Sequence, residues 1–204
     1  MTAPCLLRGV PVPARRPRPD ADGPDRPRHA PPVPDGNTAT WSLADGHAVR
    51  VRPMRSDDGA AEQALVEQLS PLSRYHRFHF GLPTLPPGML ALLTAVDGER
   101  HVAYVVEDAE DPAAPVIADA RYVRRSDHDD AEFALTIADR WQGRGLGRQL
   151  LDHLRRAARR QRIGSLYGDV LWGHAAMLAL ARRAGARITA HPGDATLMRV
   201  RLAP

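Results

Sequence analysis

Three glycines at alternate positions mark the stretch of this chain best suited to chemistry. Residues 142–147 read Gln142-Gly143-Arg144-Gly145-Leu146-Gly147, between an apolar strand-like run and a long amphipathic helical pattern. Glycines at a strand–helix junction expose successive backbone N–H groups without obstructing Cβ atoms. The first turn of a helix adds unpaired N–H donors and a positive dipole end. Together these suit a phosphate or pyrophosphate. Two nucleotide-binding readings fail. The spacing Gly143-x-Gly145-x-Gly147 is not G-x-G-x-x-G, and no parallel βαβ pattern precedes it. A Walker loop needs a lysine, and all 28 basic residues here are arginine.

The elements that must hold this turn are legible from periodicity. Residues 145–160 form the clearest helix, with Leu146, Leu150, Leu151, Leu154, Ala157 and Ala158 on one side. Arg148, Asp152, Arg155, Arg156 and Arg159 fall on the other. Before it come three strand-like runs, 101–107, 116–124 and 132–137, separated by turn-rich connectors that favour adjacent hairpins. Residues 47–54 read as a first strand, and Ser56-Asp57-Asp58 offers an N-cap for a helix over 60–69. Short helices follow over 73–80 and 88–94. After the long helix come a strand at 165–171, a helix at 175–184 closed by Gly185, and short strands at 187–190 and 196–201. This is a mixed α/β domain of the α+β kind, with one central, mostly antiparallel sheet flanked by helices.

Composition bounds the rest. Residues 1–46 hold 10 of the 19 prolines and few large apolar side chains, so they are expected to be a disordered, Pro/Arg-rich tail before a domain spanning 47–204. The tail's arginines suit either an anionic partner or plain solvation. Cys5, the single cysteine, lies in that tail, which argues against a disulfide, a cysteine metal site or a cysteine nucleophile in the core. No metal is called for. No run reaches the roughly 20 apolar residues that cross a bilayer, and Arg15-Arg16 lacks the apolar segment of an export signal, so a cytoplasmic address is expected. Acids are interspersed among the arginines and the formal net charge is only +4, which points away from nucleic acid.

The form Q-x-x-G-x-G at residues 142–147 resembles the coenzyme-binding motif of the GNAT acetyltransferase superfamily, over about residues 47–201. Leu69-Ser70-Pro71-Leu72-Ser73-Arg74-Tyr75-His76-Arg77-Phe78 is similar to a segment near the start of the catalytic domain of bacterial protein lysine acetyltransferases. Ala131-Glu132-Phe133-Ala134, the stretch from Trp141 to Gly147, and Ala176-Met177-Leu178 resemble that branch too. The resemblance implies a GNAT fold and an enzyme that binds acetyl-CoA as co-substrate. It passes the acetyl group directly to a primary amine, with a protein lysine as the leading acceptor. A small-molecule amine, or a regulatory module that binds acyl-CoA without transfer, are the alternatives.

The resemblance also implies roles. Backbone groups at Thr136 and Ile137, and at Ala138 beyond them, would hold the pantetheine arm. Gln142, Gly143, Arg144, Gly145, Leu146, Gly147 and Arg148 would surround the pyrophosphate, although exposed arginines are also simply solvated. Glu132 is the candidate base. Period-two alternation sets it with Ala134 and Thr136, apart from Phe133, Leu135 and Ile137, and relatives carry a glutamate on this strand. A solvated glutamate at a strand end is the plainer alternative; Asp129 and Asp130, closer to a turn, read as solubility residues. His174 stands where many relatives have an asparagine, and either touches the coenzyme or caps a helix. Ala181 stands where many have a tyrosine that protonates the leaving thiolate. Tyr75, His76 and His79 either line the acceptor side or pack.

Overall fold

The computed structural model describes residues 38–125 and 129–204. Cys5 and most of the expected tail lie outside the described residues. The expected domain start at residue 47 is too late. Ala39–Ser42 form strand β1, which pairs antiparallel with β2 (Ala48–Pro53). Trp41 accounts for the strand: its ring meets His153 edge-on at 5.4 Å, so this short segment packs one large side chain partly against the core.

Three helices follow: α1 (Gly59–Glu67), α2 (Pro71–Phe78) and α3 (Pro87–Thr94). Asp58 sits at the N-cap of α1, but its carboxylate accepts from the Arg55 N–H and takes both terminal nitrogens of Arg52 instead of capping. Helix α2 is properly capped by Ser70, whose hydroxyl accepts the Ser73 N–H. It ends two residues earlier than its sequence pattern, because His79 turns left-handed at φ 59°.

The chain then builds β3 (His101–Asp108), β4 (Val116–Arg124) and β5 (Asp130–Ile137), a 3-10 turn (Asp139–Trp141), and α4 (Leu146–Arg160). Strand β6 (Ser165–Leu171), α5 (Ala175–Arg183), β7 (Arg187–Ala190) and β8 (Leu197–Leu202) complete it. The eight strands form one sheet in the order β1-β2-β3-β4-β5-β6-β8-β7. Every pairing is antiparallel except β5 with β6. The six apolar residues expected on one side of α4 are all buried. No helix among the described residues is long and apolar enough to cross a membrane.

Both faces of the central strands are covered, and one of them buries charge. Asp119 and Arg121 point from β4 to the side where α1 packs. The Arg121 guanidinium donates to Asp119 Oδ2 at 2.7 Å, Glu62 Oε1 at 2.8 Å and the Leu93 carbonyl at 2.6 Å. All three charged side chains are at most 1% exposed. Burial, and then Asp119, raise the Glu62 carboxyl above the usual range. Burial works the same way on Asp119, but Arg121 and Arg77 outweigh it and hold that carboxyl low.

Two buried histidines make stability depend on pH. Burial pushes both His101 and His153 down to about 4, with nearby arginines adding to it. Between about pH 6.5 and 4 the unfolded chain takes up protons that the folded chain refuses, so stability falls as pH falls. Glu62 acts with the opposite sign, while His174, also lowered to about 4, adds to the loss. Unfolding monitored from pH 7 to pH 4.5 should therefore lose about 2–4 kcal/mol. His153→Gln should flatten that dependence.

Candidate active site

The site lies where the sheet opens. Strands β5 and β6 are in register only at Asp130–Ser165, Ala131–Leu166 and Glu132–Tyr167. Gly168 then passes so close to β5 that a Cβ there would sit 3.1 Å from the Phe133 carbonyl oxygen. Beyond this crossing the strands part, and a cleft of about 690 Å³ opens between them. Its size is that of a small-molecule site.

One wall is the free side of β5. The Ala138 N–H donates to the Ile117 carbonyl on β4 at 2.9 Å. Amides alternate along a strand, so the N–H groups of Leu135 and Ile137 point the other way, into the cleft. No β6 residue is in register with them. Glu132 lies on the cleft floor and is 7% exposed. Thr136 follows on the same face of β5, with its hydroxyl accepting Arg77 Nε–H at 2.8 Å.

The end wall is the glycine turn. Gly143 and Gly145 adopt φ 75° and 88°, a region that other residues enter at a cost of about 1–2 kcal/mol. A Cβ at either would meet nothing within 4 Å, so open space lies over both. Gly145 is the N-cap of α4 and has no side chain to occupy the first-turn N–H groups. The turn thus presents open backbone at a helix N-terminus. It fits an anion.

Some side chains behave otherwise than the resemblance implied. The Gln142 amide donates to the Ile137 carbonyl at 3.0 Å and to Ser73 Oγ at 3.4 Å, tying the turn to β5 and α2. Arg144 is turned out of the cleft. Its Nε–H donates to Asp45 Oδ2 at 2.6 Å, and its guanidinium lies 4.5 Å from the Trp141 ring. Leu146 is a core residue, 1% exposed. Arg144 and Leu146 therefore offer the turn their backbones only. Arg148 lines the cleft with a side chain that is 80% exposed.

Helix α2 straps the third side. Asp139 fixes its start by accepting from the Ser70 N–H and from the Ser70 and Ser73 hydroxyls. At its far end His76 stacks on His174 at 3.9 Å and 13°, which bridges α2 to the start of α5. His174 occupies the N-cap of α5 without making a cap bond. Burial, and then His76, lower His174 to about 4, and burial lowers His76, so the pair is neutral at physiological pH. His76 and His79 line the cleft, whereas Tyr75 points to solvent. Ala181 is fully buried away from the cleft. Sequence reasoning missed Arg77 and Asp139. Both sit in or beside segments it quoted, but only the fold shows what they touch.

The comparisons with known proteins agree with this geometry. The model of the acetyltransferase (GNAT) family matches residues 64–186. An acetyltransferase of Pseudomonas aeruginosa is 32% identical over 169 residues, covering 83% of this chain and 91% of that protein. The acetyltransferase Pat of Mycolicibacterium smegmatis is 36% identical over 99 residues, but these make up only 48% of this chain and 29% of that protein. Among solved structures, the GNAT domain of S. lividans PAT superposes with a TM-score of 0.74 at 27% identity, covering 81% of this chain and 96% of that one. YncA of Salmonella typhimurium, solved with acetyl-CoA, shares the fold at a TM-score of 0.60 and 21% identity, over 76% of this chain and 93% of its own. With the family model spanning more than half its length, this chain belongs to the GNAT acetyltransferases, enzymes that use acetyl-CoA as co-substrate.

Proposed function

We propose that this enzyme transfers the acetyl group of acetyl-CoA to the side-chain amine of a protein lysine. The observation that carries the reading is Glu132, a carboxylate 7% exposed on the floor of the cleft where β5 and β6 part. A lysine amine has a pKa near 10.4, so about one in a thousand is neutral at pH 7.4, a handicap of roughly 4 kcal/mol. A positioned base recovers about 10²–10⁴-fold of it. In this scheme the amine nitrogen attacks the thioester carbon and its proton passes to Glu132. The C–S bond breaks, and coenzyme A leaves as a thiolate that, with a pKa near 8.5, needs no tyrosine at position 181.

The other roles follow the walls of the cleft. We assign the amides of Gly143, Gly145, Leu146 and Gly147 to the pyrophosphate, with Arg148 at its edge. The β5 edge at Thr136 and Ile137 takes the pantetheine arm, and His174 flanks it. An Ile137 N–H aimed at the thioester oxygen would stabilise the charge that develops there. Two observations favour a protein acceptor over a small amine. Residues 69–78 resemble the protein lysine acetyltransferase branch, and the exposed apolar side chain of Leu72 sits on the cleft rim. The cytoplasm is the setting we assign.

Release of free thiol from acetyl-CoA tests the acceptor. Lysine-bearing proteins should drive it, and the acetyl group should appear on lysine by mass spectrometry. Turnover with polyamines or aminoglycosides alone would overturn the protein reading. Gly145→Glu adds bulk, strain and negative charge to the cradle, and should weaken coenzyme binding by calorimetry at least about tenfold.

A further inference from the structure

We infer that the β1–β2 turn is a brace for the phosphate cradle, with Asp45 and Arg144 as its positioning residues; this rests on the coenzyme site proposed above. Three contacts join the hairpin to the glycine turn and the start of α4. The Arg144 Nε–H donates to Asp45 Oδ2 at 2.6 Å, and a second guanidinium nitrogen reaches the same oxygen. The Ala44 N–H donates to the Arg144 carbonyl at 3.4 Å. The Gln149 side-chain amide donates to the Ser42 carbonyl at 3.2 Å. The Arg144 guanidinium also lies over Trp141, which meets His47 edge-on at 4.8 Å.

The contact with the Arg144 carbonyl sets a direction. In a trans peptide the C=O and the following N–H point opposite ways. Holding the Arg144 carbonyl against Ala44 therefore turns the Gly145 N–H to the far side, toward the cleft that Gly145 lines. Glycine at φ 88° has the freedom to rotate this peptide, so the orientation needs an outside anchor. The Asp45–Arg144 pair supplies it. The same pair keeps the arginine away from the coenzyme, so its cation acts on the loop and not on the phosphates.

Two opposed effects make the test decisive. Asp45→Asn loses the brace but also removes a negative charge near an anion site. If the brace dominates, Asp45→Asn and Arg144→Gln each raise the Kd for coenzyme A about fivefold, the loss of one charge-assisted hydrogen bond. KM for acetyl-CoA rises with it while kcat holds, the double variant is no worse than either single one, and Asp45→Glu recovers part of the loss. Unchanged or tighter binding in Asp45→Asn overturns the brace, since Asp45 would then merely withhold Arg144 from the coenzyme. Amide exchange over residues 143–147 in the ligand-free proteins gives an independent reading. It should be faster in Asp45→Asn than in the parent, and equal rates overturn the proposal. If the parent chain binds no coenzyme A, the functional reading fails, and the exchange rates still decide the brace.

Discussion

Glu132→Gln is expected to lower kcat by about 10²–10⁴-fold at neutral pH, the range a positioned general base contributes. Glutamine keeps the size and a hydrogen-bonding end, so the cleft should keep its shape and affinity for coenzyme A should change less than about twofold. The deficit should shrink as pH rises, because a growing fraction of the proposed lysine acceptor is already neutral near its pKa of about 10.4. A variant with the parent's rate at pH 7, or a deficit that persists unchanged to pH 10, would remove Glu132 as the base. Coenzyme affinity separates the cases. Loss of rate together with loss of binding would point to a damaged cleft and not to missing chemistry.

Arg121→Met should cost about 3–5 kcal/mol, the penalty for leaving buried charge without its partner. Methionine matches much of the arginine's length, but Asp119 and Glu62, at no more than 1% exposure, then lose the cation that bridges them, and Arg77 is left as the nearby positive charge. The Leu93 carbonyl loses its donor as well. Chemical denaturation would measure the loss. A triple variant that also carries Glu62→Leu and Asp119→Leu should be more stable than Arg121→Met alone, since the two buried carboxylates are then no longer left without their bridging cation. If the single change is tolerated within about 1 kcal/mol, the cluster is better hydrated than its burial indicates.

What the sequence showed depended on how local the cause was. Helix α4 was legible because its six leucine and alanine positions repeat at helical spacing, and all six are buried. The glycine turn was legible because φ near 80° and open space favour one residue type. Strand β1 was not, because four residues are too few to show a period and Trp41 packs against the core through partners such as His153 on a distant helix. The charge cluster was hidden for a related reason. Asp119 and Arg121 alternate along β4 as solvent-facing residues would, and the partners that Arg121 finds on α1 and α3 come from other parts of the chain. Arg144 was named from its place in a motif. Its side-chain direction is set by Asp45, 99 residues earlier. The cleft itself arises from the parting of two strands after three residue pairs, a tertiary event with no local signature.

That short register has a mechanical consequence. Strands β6, β8 and β7 are stitched to the rest of the sheet along a seam of three residue pairs, so this flank of the sheet can loosen without the other. A coenzyme wedged into the gap would act as a splint, touching β5 and α4 on one side and the start of α5 on the other. Ligand at a hundred times its Kd adds about 2.7 kcal/mol to global stability. Hydrogen exchange should show that gain first in β6 and α5, where the loose flank is pinned. Uniform protection across all eight strands would mean that the seam is as firm as the rest.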